Sequence, residues 1–268
     1  KMDEFYQLTG RAYKVFEYIG HLEAEHIIVV MASATETMED TISHLNGRGD
    51  KIGLVKVRLF RPFNTDLLLE SIPKTCKSIA VLDRTKEAGS SGEPLYLDVV
   101  QAVFQSEHFY KTPKVVGGRY GLASKEFTPA MVSGIAYQLK NEVLKNPFTV
   151  GIQDDVSHLS IAESDYKLSF QGEEILFYEY KKKQTQKYFQ NFINRIGERH
   201  SDFLQGYQEI DYKKSSSKVI SNIRYSDNTI KAPYLISEAD FVGYEDLSLL
   251  IDSGEPLRVK QNGVVLVQ

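Results

Sequence analysis

The chain has 268 residues, of which 42% are hydrophobic and 25% charged, and its net charge at pH 7 is −4. This composition is typical of a globular protein, and the length favours two domains over one. The slightly acidic balance argues against a nucleic-acid partner, which is usually bound by a concentrated basic face. The single cysteine, Cys76, excludes an intramolecular disulfide and any cysteine-ligated cluster or zinc site built by this chain alone.

The sequence shows no sign of a membrane span or a signal peptide. No run approaches the ~20 apolar residues that cross a bilayer, and the first residues, KMDEFYQLTG, lack an apolar core. We therefore predict a cytoplasmic location. A lysine before Met2, and a final VVLVQ that is typical of a strand, suggest a section of a longer protein.

In the first half of the chain, strand-like and helix-like segments alternate. Continuous apolar runs predict strands at 26–31, 53–60, 78–84 and 114–118, and helical spacing predicts helices at about 33–47, 62–72, 93–104 and 128–144. Strands that are apolar on both faces and alternate with helices indicate a parallel sheet covered on both sides. We expect an open, doubly wound α/β domain.

The second half begins after a connector at 146–161 that is rich in Pro, Gly and Asp. Strands are predicted at 173–180, 203–212, 218–225 and 239–244, with helices at 183–195 and 245–254. The Asn262-Gly263 pair near the end is a hairpin signal if the chain continues. We therefore expect a second open α/β domain, also mostly parallel, with domain borders of 1–150 and 151–268.

The best candidate for a functional loop is DRTKEAGSSGEPL at 83–95. It leaves the carboxyl end of a predicted strand, where open α/β sheets bind ligands, and Gly89 and Gly92 would let the backbone approach a ligand. Glu87 and Glu93 could transfer protons there. The alternative is a tight turn in which Glu93 only complements the helix dipole, and this alternative is the more common case.

Other candidates are weaker. Asp154 and Asp155 near His158 have the residue types of a metal site, but adjacent carboxylates on an extended segment point to opposite faces. The paired glycines and arginine of VVGGRYG at 115–121 could hold an anion, although a turn is the simpler interpretation. The remaining histidines lack metal-ligand spacing, namely His21, His26, His44, His108 and His200.

A basic cluster, YKKKQTQK at 180–187, stands at the predicted strand-to-helix turn of the second domain. It could attract phosphate, or it could be a solvated helix start. Three ammonium groups near the positive end of a helix oppose its dipole by ~0.3 kcal/mol or more each. Lysine side chains supply charge but also bulk, so this turn predicts no tight nucleotide cradle.

Long motifs of the chain resemble the pyruvate:ferredoxin (flavodoxin) oxidoreductase family over nearly all 268 residues. They include HIIVVMASATETMEDTISHLNGRGDKIGLVKVRLFRPF, VLDRTKEAGSSGEPLYLDVVQAVF, GGRYGLASKEFTP, NPFTVGIQDDVSHLSI, and GERHSDFLQGYQEIDYKKSSSKVISNIRY followed by IKAPYLISEADFVG. The resemblance implies a transketolase C-terminal-like domain at 1–150 and a gamma-like domain at 151–268. It further implies that separate iron–sulfur and thiamine-diphosphate domains follow.

The chain departs from this family at one loop. In the family's register, Glu179, Lys181 and Gln184 stand where a Gly-Leu-Gly-Ser-Asp-Gly-Thr-Val loop has its three glycines, and serines at 215–217 replace Ser-Gly-Gly. Losing permissive backbone positions at unchanged length is expected when ligand contact is abandoned.

From this loss we predict a catalytically silent scaffold or docking fragment with no catalytic, cofactor-binding or metal residues of its own. Its parent is predicted to be the sulfite reductase hemoprotein beta subunit, with siroheme, a 4Fe-4S cluster and flavin. Expected partners are the parent's other domains and a flavoprotein subunit in an oligomer, with no nucleic acid and no membrane. The alternative is a section of an active pyruvate oxidoreductase that forms acetyl-CoA and uses thiamine diphosphate and 4Fe-4S clusters.

Overall fold

The computed structural model of the chain describes residues 1–153, 156–181, 185–199, 203–210, 218–251 and 256–268. The chain divides into two compact units, Lys1–Leu168 and Ser169–Gln268. The connector after residue 150 belongs to the first unit, because Ser160 bridges to Thr149 and the Ser164 hydroxyl donates to the Ala130 carbonyl.

The first unit alternates strands and helices much as the apolar runs predict. Its strands are β1 (Phe16–Gly20), β2 (His26–Met31), β3 (Ile52–Val57), β4 (Ser78–Asp83), β5 (Lys114–Arg119) and β6 (Phe148–Thr149). Its helices are α1 (Met2–Thr9), α2 (Ala34–Gly47), α3 (Thr65–Ser71), α4 (Pro94–Phe104) and α5 (Pro129–Leu139), with a short 3-10 helix at Leu122–Ser124. The elements α1, β1 and β6 lacked a clear pattern in the sequence.

The six strands form one sheet in the order β1-β3-β2-β4-β5-β6. The edge strand β1 runs antiparallel to β3, and the other neighbouring strands are parallel. One apolar core places α2 and α5 on one face of the sheet, and a second places α3 and α4 on the opposite face. This is the expected doubly wound arrangement, in which Ile27 through Val30 are fully buried because both faces are covered.

The second unit is also an α/β unit, and its elements follow the predicted order. Its strands are β7 (Glu173–Tyr180), β8 (Phe203–Ile210), β9 (Lys218–Ser226), β10 (Ala239–Tyr244) and β11 (Val259–Val267), and its helices are α6 (Thr185–Arg199) and α7 (Leu247–Ile251). Its core is formed by apolar side chains of β7, β9, β10 and α7, including Leu176 and Val242.

The second sheet has the order β11-β10-β7-β9-β8. It is parallel from β11 to β7 and antiparallel from β7 to β8. Asn262 has a positive φ of 65° but lies within β11, where the register against β10 shifts, so the predicted hairpin turn is instead an irregularity inside one strand. Among the described helices, none has the length and apolar character needed to cross a bilayer.

Candidate functional site

The candidate site lies at the carboxyl ends of β4 and β5, which pair so that Asp83 is the neighbour of Arg119. The loop at 84–93 leaves β4 at this edge and leads into α4, which begins at Pro94. In open α/β sheets, ligands bind outside the carboxyl ends of the strands. Three charged groups meet there, contributed by Asp83, Glu93 and Arg119.

Asp83 holds the start of α4. It is 3% exposed, and its carboxylate accepts hydrogen bonds from the backbone N–H groups of Leu95 and Tyr96, both at 3.1 Å. Burial raises the pKa of the Asp83 carboxyl, while the two backbone hydrogen bonds act to lower it. Both oxygens are used by the helix start, so Asp83 positions the loop and is poorly placed to receive a proton from a ligand.

Glu93 is committed to a buried ion pair. It precedes α4, yet its side chain does not cap that helix; instead Oε1 accepts from Arg119 Nε at 2.6 Å. The two side chains are 2% and 15% exposed. The main contact of Glu93 is therefore this ion pair, which connects the loop to β5. It matches neither the proton-transfer role nor the helix-dipole role considered for Glu93.

The glycines and Glu87 of the loop also have local explanations. Gly89 has a φ of +82°, a conformation that L side chains rarely adopt. A Cβ on Gly92 would lie 2.6 Å from a ring carbon of Tyr96, so glycine there makes room for that ring. Glu87 is exposed to solvent. Within this loop it is the acid that remains accessible to a ligand.

A groove of about 580 Å³ opens at the same edge. Its cations are Lys86, which is exposed, and Arg119, whose charge is balanced by Glu93. Thr149 and Gln153 add polar groups, and leucines and Ile152 add apolar surface. The groove therefore has the size and lining of a site for a small anionic ligand.

The other sequence candidates form no further cluster of functional groups among the described residues. Asp154, Asp155 and His200 lie outside them, and His158 is exposed with a φ of 55°. Among the described residues, no group of three or more His, Cys, Asp or Glu side chains could hold a metal. The paired glycines of β5 pack closely: a Cβ on Gly117 would meet the Tyr96 ring at 3.0 Å. The anion role considered for that motif is thus reduced to Arg119.

The strand-to-helix turn of the second unit is described only in part. Glu179 lies within β7 opposite Val219, and Lys181 is exposed just after the strand. The backbone N–H of Tyr180 donates to Glu245 at 3.0 Å, which fixes the end of β7. Residues 182–184 and 215–217 lie outside the described part of the chain.

The sequence marks Arg119 only as the arginine of VVGGRYG, a candidate anion contact, and does not single out Asp83 as a site residue. Asp83 carried one available signal, because it is a carboxylate at the end of an apolar strand and a glycine-bearing loop follows it. The pairing of Arg119 with Glu93 depends on two strands lying side by side.

Comparison with known proteins gives a consistent result. Residues 24–132 match the family model of pyruvate:ferredoxin oxidoreductase core domain II. The chain is 46% identical over 246 residues to a pyruvate-flavodoxin oxidoreductase of Trichormus variabilis, covering 90% of this chain and 20% of that protein. It is 43% identical over 274 residues to that of Rhodospirillum rubrum, and 42% identical over 271 residues to a pyruvate:ferredoxin oxidoreductase of Moorella thermoacetica, in both cases covering 99% of this chain and 23% of the relative.

These findings correct the predicted function. The prediction of a silent scaffold from a sulfite reductase, with a place in sulfur metabolism, is wrong, because the similar proteins are pyruvate oxidoreductases. Siroheme stays a prediction without support from these relatives. The altered glycine loop is one departure in a chain that is otherwise similar to these enzymes over nearly all of its residues. The chain spans about a fifth of the length of these relatives. Residues 24–132 match core domain II, and the chain is similar to these enzymes over nearly all of its residues.

Proposed function

We propose that this chain is a section of a multidomain oxidoreductase that converts pyruvate and coenzyme A to acetyl-CoA and carbon dioxide, passing two electrons to flavodoxin or ferredoxin. The observation that carries the proposal is that 99% of the chain is similar to proteins named pyruvate-flavodoxin oxidoreductase and pyruvate:ferredoxin oxidoreductase. Within it, residues 1–150 act as the transketolase C-terminal-like domain and residues 151–268 as the gamma-like domain.

The cofactors of such an enzyme, thiamine diphosphate and iron–sulfur clusters, belong to other domains of the proposed parent. Clusters need several thiolates, and Cys76 is the only cysteine of the chain and is buried. No group of three or more His, Cys, Asp or Glu side chains in the described part of the chain could hold a metal. We assign the residues of this chain no step in the cofactor chemistry.

The contribution of this chain is the preformed edge at β4 and β5. Asp83 holds the start of α4, and the pair of Glu93 with Arg119 fixes the other end of the loop. Rigid placement of the loop keeps the exposed cation of Lys86 at the groove. In the proposed enzyme, this cation attracts an anionic group of a substrate, since pyruvate and coenzyme A are both anions at neutral pH.

The test is turnover of the full-length protein that contains these residues. Purified anaerobically, it should reduce an electron acceptor only when both pyruvate and coenzyme A are present. Lys86→Gln should lower kcat/KM several-fold, mainly through KM, because it removes attraction without touching a reacting atom. Lys14→Gln, an equal change at another exposed lysine of the first unit, should leave the kinetics unchanged. Absence of pyruvate-dependent reduction would refute the proposed enzyme, whereas equal kinetics for both variants would refute only the role of Lys86.

A further inference from the structure

A second cavity lies at the opposite edge of the first sheet, where its parallel strands begin. Its volume is about 550 Å³, and it includes the first residues of three strands, His26, Ser78 and Lys114. This is the amino-terminal edge, away from the site described above. We call it the lysine cavity, because five lysines line it: Lys74, Lys77, Lys111, Lys114 and Lys140.

The charge of this cavity contrasts with that of the whole chain. A single carboxylate, Glu25, stands among the lining residues, whereas the chain has a net charge of −4. Three lysines have partners: Lys77 pairs with Glu25 at 2.5 Å, Lys140 with Asp50, and Lys114 donates to the carbonyl of Glu142 at 2.8 Å.

All five lysines are exposed. Lys74 and Lys111 differ from the other three in that the described part of the chain offers neither of them a carboxylate within ion-pair distance, nor the carbonyl contact that Lys114 makes. An ammonium group in water has no need of a partner, but several like charges around one cavity repel each other and so disfavour the folded state. An anion bound between them would remove that repulsion.

The rim of the cavity is held by backbone hydrogen bonds. The N–H of Lys77 donates to the Glu25 carbonyl at 2.7 Å, that of Lys114 to the Lys77 carbonyl at 2.9 Å, and that of Tyr110 to the Lys74 carbonyl at 3.3 Å. The loops that carry the lysines are therefore fastened to each other and to the start of β2. A ligand would meet a largely preformed site, which reduces the cost of ordering it.

The cavity wall is neither wholly basic nor wholly polar. Leu139 and Cys76 are buried, and Leu144 is half-buried beside them. His26 donates from Nδ1 to the Ser78 hydroxyl at 2.8 Å, since that hydroxyl donates its own proton to the Leu139 carbonyl at 3.1 Å. The Nε2 atom is then the ring nitrogen of His26 that is left for a ligand.

We propose that the lysine cavity binds a small organic phosphate that carries more than one phosphate group and an apolar or aromatic part, such as a nucleoside diphosphate. Lysine ammonium groups are flexible point charges suited to phosphate oxygens. Several of them together fit a ligand with several phosphate charges better than a ligand with one carboxylate charge. The volume lies in the range of ligand pockets, and the leucines provide contact for the apolar part. Because the cavity lies at the opposite edge of the sheet from the candidate site, we assign this ligand the role of an effector and not of a substrate.

The test uses isothermal titration calorimetry on the 268-residue chain at about 0.15 M salt, with ADP and inorganic pyrophosphate as probes. Both should bind, ADP more tightly because of its additional apolar contact. The double variant Lys74→Ala with Lys111→Ala should weaken both affinities roughly tenfold or more, because each charge removed acts within a few ångströms of the phosphates. It should fold normally, since both side chains are exposed.

The matched control is Lys14→Ala with Lys125→Ala, which removes the same charge from exposed positions outside the cavity. It should leave both affinities within about twofold, as expected for distant charges screened by salt. No binding of either probe would overturn the proposal, as would equal weakening by both double variants, which indicates diffuse attraction. Binding of an acidic polypeptide such as poly-glutamate without binding of ADP would also overturn it.

Discussion

At the scale of single residues, the loop between β4 and α4 contains two glutamates with opposite environments. Glu93 is buried and paired with Arg119, while Glu87 is exposed. Replacing each glutamate by glutamine therefore compares a buried, paired carboxylate with an accessible one. Their side chains look equivalent in the sequence, since both belong to the segment KEAGSSGEP.

We expect Glu93→Gln to lower the free energy of unfolding by roughly 2 kcal/mol, because it leaves a mostly buried guanidinium without its counter-charge. Glu87→Gln should change it by less than about 0.5 kcal/mol, as exposed substitutions usually do. Urea unfolding of the two variants makes the comparison. Equal stability of both would show that the pair of Glu93 with Arg119 contributes nothing measurable.

His26 should make stability depend on pH. Burial lowers its pKa, and nearby charges adjust it: Glu25 and Asp50 act to raise it, and Lys140 and Lys77 act to lower it. The folded chain then binds this proton less readily than the unfolded chain, whose value is near 6.5. Stability is therefore lost as the pH falls below that value.

The matched variant is His26→Asn, whose amide can replace Nδ1 as the donor to Ser78. Between neutral pH and about 5.5, the wild-type chain should lose more unfolding free energy than the variant, since the variant has no proton to take up there. Chemical denaturation at several pH values measures both slopes. Identical slopes would contradict a lowered pKa at His26.

At the scale of elements, the start of α4 is capped by the last residue of β4. Asp83 closes β4 and accepts from the N–H groups of Leu95 and Tyr96, so one residue ends the strand and caps the helix. By contrast, α3 begins at an ordinary local cap, in which Asn64 accepts from the N–H of Leu67 at 3.0 Å. The two caps differ in burial, because Asp83 is 3% exposed and Asn64 is exposed.

Asp83→Ala should therefore cost more than Asn64→Ala. Removing Asp83 leaves the buried N–H group of Leu95 and the partly buried N–H group of Tyr96 without an acceptor, for which we expect a loss of about 2–3 kcal/mol. Removing the Asn64 side chain lets water accept the hydrogen bond from the N–H of Leu67, at a cost of about 1 kcal/mol or less. Thermal unfolding of each variant measures the difference. A smaller loss at Asp83 than at Asn64 would contradict the capping role.

At the scale of the whole molecule, each unit buries its own apolar residues. The first sheet is covered on two faces, and the second unit packs its apolar residues around Leu176 and Val242. The expected oligomer with a flavoprotein subunit stays a prediction, and so does the absence of a nucleic-acid partner.

Leu176→Ala should destabilise the second unit selectively. This side chain is fully buried, and its truncation typically costs about 2–5 kcal/mol through lost contacts and a residual cavity. Hydrogen exchange measured by mass spectrometry should become faster in peptides from β7, β9 and β10, while peptides from β2 and β4 keep their protection. Faster exchange in β2 and β4 would show that the two units unfold together.

The sequence by itself determined the alternation of strands and helices, since apolar runs such as 26–31 and 78–83 can be buried only when both faces of a parallel sheet are covered. Local patterns also located α4 and α5, which begin at prolines. The same patterns could not detect β1 and β6, whose pairing depends on strands distant in the chain.

Only the tertiary structure decided what the polar residues do. Glu93 and Arg119 are 26 positions apart, and they meet because β4 and β5 are neighbours in the sheet. Lys74, Lys111 and Lys140 look like separate surface charges in the sequence, and they converge because parallel strands begin at one edge. A charge is specified locally, but its partners are set by the order of the strands. The sequence therefore located the loop at 83–95, but it could not show which charges pair there or that the five lysines line one cavity.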